Sequence, residues 1–244
     1  MTSPLRPART LFVTGTDTGV GKTRVGCALI RAAIAAGWRT AGFKPVASGA
    51  ELTDAGLRNE DALQLRAAMG GDGRGSGVGY ESVNPYCFEP PIAPHLAARA
   101  AGRRIARDVL DAAHDRLAQT HDVVIVEGAG GWQVPLNEIH TFADWVGARG
   151  WPVVLVVALR LGCLNHALLS AESILSRTRL AGWIATMSPP VPDESAELLA
   201  DLGARLPAPC WGVVEADAHA LRAHDDGFAQ WLRTGAGERP AAAS

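Results

Sequence analysis

The residues best placed to do chemistry run from Leu11 to Thr23. A short apolar stretch leads into Gly15, Thr16, Asp17, Thr18, Gly19, Val20, Gly21, Lys22 and Thr23. A strand that enters a glycine-bearing loop and opens a helix presents free backbone N–H groups to an anion. The lysine then reaches the outer phosphates of a nucleotide, and the threonine hydroxyl can join a magnesium shell. Five residues separate Gly15 from Gly21 where the strict phosphate-loop pattern has four, and Thr16 stands at the strict position.

Four further places carry polar groups suited to the same chemistry. Lys44 is followed by Pro45, Val46, Ala47, Ser48 and Gly49. Alone it reads equally as a solvated surface charge or as a functional group, and beside a triphosphate a second ammonium can neutralise charge on a transferring phosphoryl group. Asp61 falls at a predicted helix start, where acids also favour the helix dipole for its own sake. Glu127 precedes Gly128, Ala129, Gly130 and Gly131 and closes a run of buried character, where an unpaired carboxylate is costly. Thr23, Asp61 and Glu127 together make an oxygen set for Mg²⁺. The glycines after Glu127 allow close approach of a substrate to the backbone. Finally Leu161, Gly162, Cys163, Leu164, Asn165 and His166 mark a strand-to-helix junction whose N–H groups could receive a carboxylate, or could form a plain cap.

The elements that must position these groups alternate. Strands are predicted at Leu11–Thr14, Thr40–Val46, Asp122–Glu127, Val153–Ala158, Ala181–Thr186 and Cys210–Val214. Helices are predicted at Lys22–Ala36, Asn59–Met69, Ile105–Gln119, Phe142–Arg149, Leu164–Arg177 and Glu194–Leu206. The proline-rich Asn84–Pro94 stretch reads as an ordered extended loop, Gly70–Gly79 as a mobile loop, and Thr234–Ser244 as a frayed tail. Apolar strands of this kind suit a parallel sheet covered on both faces. The expectation is a single doubly wound α/β domain of phosphate-loop type, with ligands beyond the carboxyl ends of the strands.

Composition narrows the partners. A net charge of −2 over 244 residues advertises neither nucleic acid nor a membrane surface. The longest aliphatic run, Val153 to Leu159, is too short to span a bilayer. The first ten residues hold Arg6 and Arg9 but no apolar signal core, so a cytoplasmic protein is expected. Cys27, Cys87, Cys163 and Cys210 form no C-x-x-C spacing and read as reduced thiols.

Six blocks, in order along the chain, resemble dethiobiotin synthetase. They are Gly15–Thr23, Lys44–Gly49, Asn84-Pro85-Tyr86, Ala93-Pro94-His95, Glu127 to Trp132, and Leu161–His166. The five-residue loop spacing is the one this family uses. The resemblance implies ATP-dependent ring closure of 7,8-diaminononanoate with CO₂ to a cyclic urea, through a carbamate and a carbamic–phosphoric anhydride, with ADP and phosphate released. It implies that Thr18, Gly19, Val20, Gly21, Lys22 and Thr23 bind nucleotide, together with Asp61, Glu127, Gly128, Ala129, Gly130 and Thr186. Thr23, Asp61 and Glu127 would hold Mg²⁺. Lys44 and Lys22 would be catalytic, and Thr18, Lys44 and Ser48 would position carbamate or amine. Gly162, Cys163, Leu164 and Asn165 would bind the substrate carboxylate across a homodimer interface.

The chain departs from the family at two places. Thr186 and Met187 stand where the family often has two amide or acid residues that read adenine. Val213, Val214 and Glu215 follow Gly212 where a proline-bearing pattern is common. Weakened adenine discrimination is the expected result, since a threonine lacks the paired donor and acceptor of an amide. Regulatory ATPases of the partition type carry an extra loop lysine, which would fall at Asp17. Glutamine-dependent amidoligases usually add a further domain.

Overall fold

The computed structural model describes residues 7–70, 77–187, 193–215 and 220–235. Strand β1 (Arg9–Gly15) leads through the glycine loop into helix α1 (Lys22–Ala35), followed by β2 (Thr40–Phe43) and β3 (Val46–Ala47). A hairpin of β4 (Glu51–Thr53) and β5 (Gly56–Arg58) precedes α2 (Glu60–Ala68), α3 (Tyr80–Val83), β6 (Tyr86–Cys87), α4 (Pro94–Ala100) and α5 (Arg107–Ala118). The second half runs β7 (Val123–Gly131), α6 (Phe142–Arg149), β8 (Val153–Ala158), α7 (Cys163–Leu175), β9 (Leu180–Thr186), α8 (Ser195–Arg205), β10 (Cys210–Val214), β11 (Arg222–Ala223) and α9 (Gly227–Thr234).

Seven strands form one sheet in the order β11-β10-β9-β8-β1-β7-β2. All neighbours are parallel except the antiparallel β10–β11 pair at the edge. β1 is central: Phe12 lies opposite Val126 on one side and Val153 on the other. Its Leu11, Phe12 and Val13 are fully buried, as are Val123 to Val126 and Val153 to Val157. This is the expected consequence of covering both faces of a parallel sheet. No helix among the described residues is long and apolar enough to cross a membrane.

Local chemistry sets the helix starts that face the site. Gly21 adopts φ 88° and turns the loop into α1, a conformation open to glycine. Asn59 caps α2 by accepting the Ala62 N–H, which orients Asp61 in the first turn. Gly162, with φ 89°, opens α7 in the same left-handed way as Gly21 opens α1.

Several expectations need correction. The predicted strand Thr40–Val46 ends at Phe43, because Pro45 has no N–H to continue the ladder. Val46–Ala47 instead pairs with Tyr86–Cys87 in a separate small sheet. The strand predicted to end at Glu127 continues to Gly131, and Gly131 pairs with Gly15. Pro94 does not close an extended loop but stands at the first position of α4, where its missing N–H costs no helical bond. Most of the predicted Gly70–Gly79 loop and nearly all of the predicted tail lie outside the described residues.

Candidate functional site

A cavity of about 670 Å³ opens over the carboxyl ends of β1, β2 and β7. Thr18, Gly19, Gly21, Lys22 and Thr23 line it from the loop, and Lys44 and Ser48 from beyond β2. Asp61 lines it from α2, and Glu127, Ala129 and Gly130 from β7. Four separately predicted segments therefore meet around one space.

At its centre the Lys44 ammonium donates to Glu127 Oε1 at 2.6 Å and to Asp61 Oδ2 at 2.9 Å. The Thr23 hydroxyl donates to the same Glu127 oxygen at 2.9 Å. Lys44 is 3% exposed and Glu127 is completely buried. Burial pulls the Lys44 pKa down, but the two carboxylates outweigh it and hold the ammonium above its ordinary value. Burial likewise opposes ionisation of Asp61, and Lys44 reverses the balance to leave that carboxyl more acidic than usual. At Glu127 burial dominates and pushes the carboxyl up.

Two ammonium groups and two carboxylates share this space. Lys22 donates to the Asp17 carbonyl at 2.9 Å, within its own loop. Burial, reinforced by Lys44, lowers its pKa to about 8. A triphosphate would supply the negative charge that Lys22 lacks. Asp17 turns its side chain the other way, accepting the Thr18 N–H and pairing with Arg160 at 2.8 Å.

The donor set fits a hard divalent cation. Thr23, Asp61 and Glu127 bring oxygens to one place, and Glu127 Oε2 is buried with no hydrogen-bond partner. Gly26 on α1 allows this close fit, since a Cβ there would lie 3.6 Å from Oε2 and 3.0 Å from Leu65.

Other predicted residues lie elsewhere. Val20 is buried beneath the loop and Gly128 against Phe12, so their side-chain positions face the core while their backbones border the site. Thr186 does not line the cavity. It is completely buried, and its hydroxyl donates to the Val20 carbonyl at 2.7 Å. Thr186 braces the loop from below. Gly162, Cys163, Leu164 and Asn165 do not line the cavity. Cys163 is buried at the start of α7, while Gly162 and Asn165 are exposed. Cys27, near Glu127, has its thiol pushed up to about 12 by burial, which removes it as a nucleophile.

Residue types alone missed part of the wall. Gln64 lines it one helical turn after Asp61, a spacing that could have exposed it. Arg24, Val134 and Pro135 also line it, and Pro91 to Pro94 close one side.

This loop, sheet order and charged centre define a nucleotide-binding α/β protein of the phosphate-loop class. The fold agrees with the cell division protein FtsY from Thermotoga maritima, at a TM-score of 0.50 and 18% identity over 94% of this chain and 69% of that one. A family model described as an AAA domain matches residues 9–217. The ATP-dependent dethiobiotin synthetase BioD of Pseudomonas paraeruginosa is 51% identical over 221 residues, 88% of this chain and 95% of its own. BioD 1 of Escherichia coli strain K12, also named an ATP-dependent dethiobiotin synthetase, is 49% identical over 206 residues, 83% of this chain and 88% of its own. The chain belongs to the dethiobiotin synthetase family.

Proposed function

We propose that this protein closes the ureido ring of dethiobiotin from 7,8-diaminononanoate, CO₂ and ATP. The observation that carries the reading is the Lys44 ammonium, held by Glu127 and Asp61 at the mouth of a phosphate loop.

One amine of the diamine adds to CO₂ and loses a proton to give a carbamate. A carbamate oxygen attacks the γ-phosphorus of ATP, and ADP leaves. The second amine attacks the carbonyl of the resulting anhydride, and phosphate leaves as the ring closes. Lys44, freed from part of its carboxylate pairing when substrates arrive, neutralises the carbamate and the transferring phosphoryl oxygens. Lys22 and the N–H groups of Gly19 to Thr23 hold the phosphates. Thr18 and Ser48 orient the carbamate and amine, a positioning that removes much of the barrier. Thr23, Asp61 and Glu127 would hold Mg²⁺, which supplies charge neutralisation between phosphate oxygens. Ala129 and Gly130 border the phosphates by their backbone.

The remote substrate carboxylate is assigned to the N-terminus of α7 on a second copy of the chain. Leu161 is fully exposed at that junction, and Leu168, Leu169 and Leu175 are exposed along the same helix. Such a surface supports a homodimer whose sites are shared.

The deciding experiment incubates purified protein with the diamine, bicarbonate and Mg-ATP and identifies the product by mass. Dethiobiotin formed in step with ADP supports the reading. ADP released without a cyclic urea overturns it.

A further inference from the structure

Lys44 stands just past the end of the main sheet. β2 is an edge strand, its ladder with β7 stops at Phe43 opposite Val126, and Pro45 follows Lys44. The Lys44 backbone is held instead by the segment around α3. Its N–H donates to the Val83 carbonyl at 2.8 Å, and its carbonyl accepts from Asn84 Nδ2 at 2.7 Å. The same amide nitrogen donates to the Tyr86 carbonyl at 3.0 Å.

The series continues toward Asp61. Asn84 Oδ1 accepts from the Tyr80 hydroxyl at 2.9 Å, and that hydroxyl accepts the Asn59 N–H at 2.7 Å. Cys87 Sγ lies 3.4 Å from the same oxygen. Asn59 caps α2 two residues before Asp61, and its Nδ2 donates to the Ser48 carbonyl at 3.4 Å. Asn59, Tyr80 and Asn84 are all buried. One hydrogen-bonded series thus joins the three segments that bring Lys44, Ser48 and Asp61 to the cavity, while Tyr80 and Asn84 do not line it. A fully satisfied buried network admits few arrangements, because each unmade bond in it is costly.

Resting on the proposed ring closure, we infer that Tyr80 and Asn84 are positioning residues that fix the Lys44 ammonium against Asp61 for the phosphoryl-transfer step. The phosphate loop lies outside the series. Breaking the series therefore slows the chemistry and leaves the hold of Lys22 and the loop on nucleotide intact.

Three variants of the full chain test this. Tyr80→Phe removes the hydroxyl and keeps the ring, over which the Arg58 guanidinium lies at 4.2 Å. Asn84→Ala removes the amide. Thr10→Val is the control for lost stability, since it breaks a buried 2.9 Å hydrogen bond to His114 at the far end of β1. In both network variants kcat for ring closure should fall by about tenfold or more, because a misplacement near 1 Å can cost about a hundredfold. The dissociation constant of magnesium-free ADP, measured by calorimetry, should stay within about twofold of the parent. Lys22 and Lys44 are the only two lysines of the chain, so an amine-directed acylating reagent, with each peptide then weighed, reads Lys44 directly. Its acylation relative to Lys22 should quicken by about threefold or more in both network variants, as local opening exposes it, and stay unchanged in Thr10→Val. A Lys44 acylation ratio unmoved in both network variants overturns the inference. So does an active parent whose network variants keep kcat within about threefold, or lose ADP affinity as much as kcat, or share their loss of kcat with Thr10→Val. A parent that forms no cyclic urea, with Lys44 acylation raised in the network variants alone, would remove the proposed reaction and leave the positioning of Lys44 standing.

Discussion

Lys44 and Glu127 are each other's condition for burial. Replacing Lys44 by Met should abolish ring closure and also destabilise the fold by about 3–5 kcal/mol, because Glu127 is left buried without its cation. Adding Glu127→Gln should restore most of that stability and none of the turnover. Urea unfolding of the single and double variants, beside the mass assay, separates the two effects; a single variant as stable as the parent would contradict the coupling. Lys22 yields a second prediction at this scale. Its folded pKa, about 8, lies below the ordinary lysine value, so the unfolded chain binds more protons between those limits. Stability from this group therefore rises as pH climbs through about 8 toward the ordinary value, and below about 8 the buried charge costs up to about 3 kcal/mol. A triphosphate beside Lys22 should restore its proton. Nucleotide binding near pH 9 should thus take up protons, read as a dependence of the calorimetric heat on buffer ionisation enthalpy. A heat independent of buffer would exclude the assignment.

At the scale of elements, the phosphate loop is braced from beneath by β9. Thr186→Val keeps the shape but leaves the Val20 carbonyl buried without its donor, a loss of about 1–3 kcal/mol. The KM for ATP and ITP should rise together, with their ratio unmoved, which distinguishes a brace from a base reader. Steady-state kinetics with both nucleotides checks this. Much of the framework was legible because parallel strands announce themselves as uninterrupted aliphatic runs, and Val153–Ala158 has the bounds its run predicts; helix Phe142–Arg149 likewise has its predicted bounds. Lys44, Asp61 and Glu127 were legible as separate signals at element ends, and the fold places them in contact. Other features depend on information that local pattern lacks. Pro45 ends a strand that hydropathy alone would extend, and Pro94 begins a helix where proline density reads as a loop. The amphipathic α9, with Phe228, Trp231 and Leu232 buried, is short and follows other weak signals. Which way Thr186 points is set by the pleat of β9 and by strands distant in sequence.

At the scale of the whole molecule, the proposed sharing of sites between two copies makes a quantitative demand. Lys44→Ala and Asn165→Ala would each cripple a homodimer at both sites. Mixed after unfolding and refolding, half the dimers carry one doubly altered site and one intact site, so about a quarter of parental activity should return. No recovery would place the carboxylate site and the phosphate site on the same protomer. The central position of β1 has a consequence in time. Strand β1 must wait for β7, at Val123–Gly131, and for β8, at Val153–Ala158, before either of its edges is paired. At a synthesis rate of about 5–20 residues per second, that interval is on the order of ten seconds. Throughout it Leu11, Phe12 and Val13 emerge as an open apolar edge, and the loop beside them lacks the walls that give it meaning. A growing chain of this protein is therefore exposed to aggregation at a strand that the finished protein buries completely.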